Sequence, residues 1–126
     1  MDKYREFNHV FLEAFDETIT DLLGSQVLTV LSSTLLKDHD ISRDELPYRL
    51  DTVSTVLTNA LGVRNAKTIL RAVMRKLYGK FHVEFAFDEH TDYPMSTYLD
   101  ALKARLGQYI GFLNPQPLLE TLAKLR

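Results

Sequence analysis

Apolar residues recur every three to four positions through most of this chain, and that spacing constrains its fold more than any other feature. It is the spacing of an amphipathic helix, because about 3.6 residues make one helical turn. Glycine and proline divide the pattern into segments of helical length, which predicts several consecutive helices. The sequence therefore predicts an all-α fold, a compact bundle of five to six helices.

The bounds of these helices follow from their apolar stripes and end signals. The first stripe runs from Phe7 to Leu23, and Gly24 is placed to end it. A second helix starts at Ser25 and fades by Asp38, with an apolar stripe of Val27, Leu28, Leu31, Leu35 and Leu36. The other predicted helices are a short turn after Ser42, a helix from Asp51 to Leu61, one from Asn65 to Tyr78, one from Ser96 to Leu113 and a terminal helix opening at Asn114-Pro115.

The apolar period changes to two in residues 81–87. Phe81, Val83, Phe85 and Phe87 alternate with His82, Glu84 and Ala86, which is a strand pattern, so we expect one short extended segment here. The backbone of a lone strand needs hydrogen-bond partners. Three arrangements stay open: a solvated edge, pairing with a short segment of the same chain, or pairing with the same strand of a second copy across a two-fold axis. The third makes the four apolar residues a dimer contact.

Composition excludes several classes of protein. The 126 residues, 25% of them charged and 45% hydrophobic, fit a single helical domain over residues 1–126. The absence of cysteine excludes disulfides, thiolate metal sites and cysteine nucleophiles. No run approaches the ~18–20 apolar residues of a membrane helix, and the N-terminus lacks a secretory pattern, so we expect a cytoplasmic protein without a membrane partner.

Charge is distributed unevenly along the chain. Residues 63–80 hold six basic residues and no acid, whereas the whole chain has a net charge of −2. On a helix, four of the six fall on one stripe, where like charges repel one another unless an anion meets them. These candidate binding residues are Arg64, Lys67, Arg71, Arg75, Lys76 and Lys80.

Three kinds of anion fit this basic helix. One is nucleic-acid phosphate, which a pI near 6.1 makes the less favoured partner. Another is an acidic patch on a protein partner. The third is the chain's own acids, either upstream or downstream of the helix: Asp38, Asp40, Asp44, Glu45, Asp51, Glu84, Asp88, Glu89 and Asp92.

No pattern of catalytic residues accompanies these features. His82, Glu84, His90 and the acids around them collect nitrogen and oxygen ligands, but without a zinc-enzyme spacing, and we interpret them as solvent-facing. Serines lack a nucleophile motif, and the glycines form no phosphate loop. A helix-turn-helix register at Gly62 would place Thr68 and Arg71 where buried aliphatic residues belong, which favours an ordinary helical hairpin. We therefore predict no enzyme, no metal and no cofactor.

Four short motifs stand out at the helix ends and connectors: Leu22-Leu23-Gly24, the connector Ile41-Ser42-Arg43-Asp44-Glu45-Leu46-Pro47, the helix end Leu61-Gly62 and the sequence Leu77-Tyr78-Gly79-Lys80-Phe81. Together they resemble a small archaeal helical domain, the Nitrosopumilus output domain. The resemblance spans roughly Phe11 to Leu106. It implies a module that stands alone or beside signalling modules and relays a signal by changing its contacts.

These observations together predict a non-enzymatic regulatory or signalling interaction module. It would dock an acidic protein partner, or a second copy as a homodimer, through the basic helix and residues 81–87. The alternative is a nucleic-acid-binding regulator that uses residues 64–80.

Overall fold

A computed structural model describes residues 5–108 and shows the all-α fold that the sequence predicts. The described part contains five α-helices and one 3₁₀ helix. They are α1 (Arg5–Leu23), α2 (Ser25–His39), the 3₁₀ helix (Arg43–Tyr48), α3 (Leu50–Leu61), α4 (Val63–Lys80) and α5 (Met95–Gln108). The expected terminal helix at Asn114-Pro115 and the end of the fifth helix at Leu113 lie outside the described residues.

Single glycines form two of the helix junctions. Gly24 has φ 96° between α1 and α2, and Gly62 has φ 88° between α3 and α4. Side chains with L chirality rarely adopt this backbone conformation, so glycine turns the chain between helices without intervening loop residues. Because Gly62 leads directly into α4, this helix begins at Val63 and not near Asn65. α3 begins at Leu50, which places Asp51 in its first turn, one of the two positions expected for it.

The core lies between α1 and α4, with the other helices packed around this pair. α4 contacts α1, α3 and α5, while α2 packs mainly on α1. The apolar stripe of α4 buries Ala66, Ile69, Leu70, Val73, Met74, Leu77 and Tyr78. From α1, Phe7, Phe11, Ala14, Phe15, Thr18 and Ile19 are buried. Thus the predicted stripes identify most of the core.

The short extended segment expected in residues 81–87 is not confirmed as a strand. The described part of the chain contains no strand, and this stretch is irregular. It leaves α4 by a turn in which His82 has φ 57° and the Val83 amide donates to the Tyr78 carbonyl at 3.0 Å. Side-chain packing holds it in place instead of a backbone ladder. The rings of Phe85 and Phe87 lie 5.7 and 4.7 Å from that of Tyr98.

The alternation in these residues therefore corresponds to one-sided burial within a single chain. Val83 is buried and Phe81, Phe85 and Phe87 are half-buried against the core, while His82, Glu84 and Ala86 are exposed. The four predicted dimer-contact residues thus have partners in their own chain. We call residues 81–87 the aromatic segment. Within the described residues, no helix is long and apolar enough to cross a membrane.

Candidate functional site

The six basic residues of α4 point in two directions. Four of them, Arg64, Lys67, Arg71 and Arg75, face the loop of residues 88–92, which we call the acidic loop. Lys76 and Lys80 face α1. The division follows from helix geometry, since each residue advances about 100° around the axis and these two lysines fall on a separate stripe. The structure therefore does not unite the six predicted residues in one surface.

On the loop side, two cations form exposed ion pairs. The Lys67 ammonium lies 2.7 Å from an Asp92 carboxylate oxygen. The Arg75 guanidinium lies 3.3 Å from a carboxylate oxygen of Glu89. All four side chains are more than half exposed, so water and salt screen both pairs.

Within residues 5–108, the other two loop-side cations form no ion pair with an acid. Arg71 donates from one terminal nitrogen to the Phe87 carbonyl at 3.3 Å, and its guanidinium lies 5.6 Å from the centre of the Phe85 ring. The Nε of Arg71 is buried and has no hydrogen-bond partner within residues 5–108. Arg64 is exposed and has no ion pair among the described residues. Neither guanidinium is therefore matched by a carboxylate in the part of the chain that the structure describes.

The acidic loop is a structured turn. Asp88 accepts hydrogen bonds from the His90 amide and the Thr91 hydroxyl, both at 2.9 Å. The His90 amide bond, more than the Thr91 bond, holds the pKa of Asp88 below its usual value, because both bonds favour the charged carboxylate. The turn therefore fixes the loop independently of the ion pairs made by Glu89 and Asp92.

On the other side of α4, an acidic row on α1 neutralises both lysines. Lys76 lies 3.1 Å from Asp21 and 3.6 Å from Glu17, while Lys80 lies 3.1 Å from Glu17 and 3.7 Å from Glu13. The hydrogen bond from Lys80 chiefly lowers the pKa of Glu17, and the bond to Asp21 chiefly raises the pKa of Lys76. These lysines are thus matched within the chain.

The three α1 acids were not among the counter-ions that the sequence predicts, although their i, i+4, i+8 spacing is visible in it. Of the predicted counter-ions, Glu89 and Asp92 pair with α4. None of the upstream acids forms an ion pair with α4 in the described residues; Glu45 instead lies 4.0 Å from Arg49.

An open groove of about 600 Å³ separates α4 from the acidic loop. Arg64, Lys67 and Arg71 line one wall, and Glu89, His90 and Asp92 line the other. We call it the α4 groove. It holds three of the four loop-side cations and both loop acids in one open cleft, and Arg75 lies next to it, beside Glu89.

A second surface was not singled out in the sequence. The solvent-facing side of α2 consists of Gln26, Val27, Thr29, Val30 and Leu36, and we call it the α2 face. The predicted stripe placed Val27 and Leu36 inside, but they are 39% and 55% exposed, and Val30 is 64% exposed. Only Leu31 and Leu35 of α2 are buried, because this outer helix packs mainly on α1.

The described residues contain no group of three or more metal-ligating side chains that would fit an ion. His82 and His90 are exposed, as the sequence interpretation expects. Comparison of the chain with protein-family models, curated proteins and solved structures returned no significant match. The resemblance to the archaeal output domain therefore stays a prediction.

Proposed function

We propose that this chain is a non-enzymatic regulatory interaction module that associates with a second copy of itself through the α2 face. The proposal rests on the α2 face, an exposed and largely apolar surface without charged side chains. The fifteen residues from Leu22 to Leu36 contain no charged side chain, in a protein in which 25% of residues are charged. Exposed apolar surface of this kind is typical of contact sites.

The polar groups of the α2 face favour burial against protein. They are the amide of Gln26 and the hydroxyl of Thr29, which donates to the Ser25 carbonyl at 3.1 Å. A hydroxyl that is already bonded to its own backbone is less costly to remove from water than an ammonium or a carboxylate. Association at this face therefore gains apolar burial without desolvating a charge.

A second copy suits this surface because a two-fold axis places the face against itself. An uncharged face meets its own image without like-charge repulsion.

The test compares two Val→Glu variants by light scattering at ~100 μM protein, where an association with micromolar Kd is populated. The parent chain should have the mass of a dimer. V30E should raise the dimer Kd at least ~10-fold, because it buries an unpaired carboxylate. V63E is the matched control, since Val63 is 56% exposed on a different helix, and it should remain dimeric. A monomeric parent, or equal loss of association in both variants, would contradict the proposal.

No observation favours the nucleic-acid alternative. The four loop-side cations face three acids of the acidic loop, Asp88, Glu89 and Asp92, so the net charge of these seven residues is only +1. Lys76 and Lys80 are bound to acids of α1. A phosphate chain would meet nearly as many acids as bases on this part of the surface.

A further inference from the structure

We infer that the α4 groove is a binding site for an acidic peptide segment of a protein partner, and that the acidic loop occupies it as a competing internal ligand. The inference is independent of the α2 face. It starts from the pairs that the loop makes. Glu89 and Asp92 are three residues apart, and they reach Arg75 and Lys67, which are eight residues apart on α4. The loop thus shows that the groove accepts two carboxylates carried on one turn.

The loop is held weakly enough to be displaced. Both ion pairs are exposed, and exposed pairs contribute little to stability in water. The loop nevertheless competes well while it is tethered, because a short tether gives an effective concentration in the millimolar range. An external segment therefore binds the parent chain weakly and binds much better once the loop acids are neutralised.

The groove offers donors that the loop leaves unused. Arg64 has no ion pair among residues 5–108, and a terminal nitrogen of Arg71 donates there to an uncharged acceptor, the Phe87 carbonyl. Guanidinium groups bind carboxylates with two parallel hydrogen bonds. An acidic segment that reaches Arg64 and Arg71 gains contacts that Glu89 and Asp92 do not make.

Charge favours a short peptide over a nucleic acid as the ligand. The acids of the loop, Glu89 and Asp92, remain tethered near the groove after displacement. A polyphosphate that extends beyond the loop-side cations would meet these acids. A segment with two or three carboxylates is confined to the groove.

The experiment measures binding of a fluorescein-labelled peptide with the sequence of residues 86–93, by anisotropy at low salt. E89Q/D92N should bind it at least ~10-fold more tightly than the parent, since the tethered competitor is lost. D38N/D40N is the matched control because it removes two exposed acids elsewhere, and it should bind like the parent. Adding K67Q/R75Q to E89Q/D92N should abolish the gain, with thermal melting showing that each variant is folded.

Two results would overturn the inference. One is equal peptide affinity of E89Q/D92N and D38N/D40N, which would mean that only net charge matters. The other is tighter binding of a duplex DNA than of the peptide by E89Q/D92N, which would identify a phosphate site. Both readouts are independent of the mass measurement that tests the α2 face.

Discussion

At the scale of single residues, Gly62 is one of the two glycines with positive φ in the described chain. Its φ of 88° is outside the range of ordinary side chains, while a Cβ at this position would contact nothing within 4 Å. Any loss on substitution therefore reports backbone conformation and not a clash. Gly79 offers the comparison, because it lies inside α4 and a Cβ there also meets open space.

We expect G62A to lower the free energy of unfolding by ~1–3 kcal/mol, because alanine is strained at this φ. G79A should raise it by ~0.5–1 kcal/mol, since alanine loses less backbone entropy in a helix. Urea denaturation of both variants measures the difference. Similar effects of the two substitutions would show that the Gly62 conformation is not what holds the junction.

Ionisation of the buried residue Tyr78 makes the stability of the fold depend on pH. Its hydroxyl donates to the Tyr98 carbonyl at 2.7 Å, and burial raises the pKa of Tyr78 from 10.0 to about 12. The folded state thus favours the neutral phenol. Its contribution to stability is fully present below pH 10.0 and is lost as the pH rises toward about 12, since the unfolded chain ionises first.

Y78F should destabilise the protein by ~1 kcal/mol near neutral pH, because one buried hydrogen bond is lost. The gap in unfolding free energy between parent and variant should then shrink above pH 10.0, since phenylalanine does not ionise. Denaturation at a series of alkaline pH values follows this gap. A gap that stays constant to pH about 12 would contradict the assigned burial and hydrogen bond.

At the scale of elements, the apolar periodicity predicted the helices well. It predicted less well which part of the chain each segment packs against. The stripe of α4 is buried as expected, because a helix of this amphipathicity has one way to meet a core. The aromatic segment shows the limit. A period of two predicts which residues are buried, but not whether the backbone finds a second strand, and here Tyr78 and Tyr98 supply ring contacts instead.

The candidate site could be predicted only in part, because the sequence does not show which elements pack together. The loop acids Glu89 and Asp92 are near α4 in the chain, and were among the expected counter-ions. The α1 acids are more than fifty residues from Lys76 and Lys80, so their pairing depends on α1 and α4 packing together. The α2 face could not be predicted for another reason. The sequence does not show whether another element covers the valines and leucines of a helix.

At the scale of the whole molecule, the two proposed surfaces belong to different sides of the bundle. The α2 face is on a helix that packs mainly on α1, and the α4 groove lies between α4 and the acidic loop. The core residues of α1 separate them. Neither surface shares a side chain with the other, so the two binding events have no direct contact through which to couple.

We therefore expect the variants to act separately. V30E should change peptide affinity in the E89Q/D92N background by less than ~2-fold, because distant sites without shared partners are additive to within a few tenths of a kcal/mol. E89Q/D92N should leave the mass in solution unchanged. Anisotropy and light scattering are measured on V30E, on E89Q/D92N and on the triple variant V30E/E89Q/D92N. If loss of association altered peptide affinity ~10-fold or more, the groove and the α2 face would be parts of one coupled site, and α1 would have to transmit the change between them.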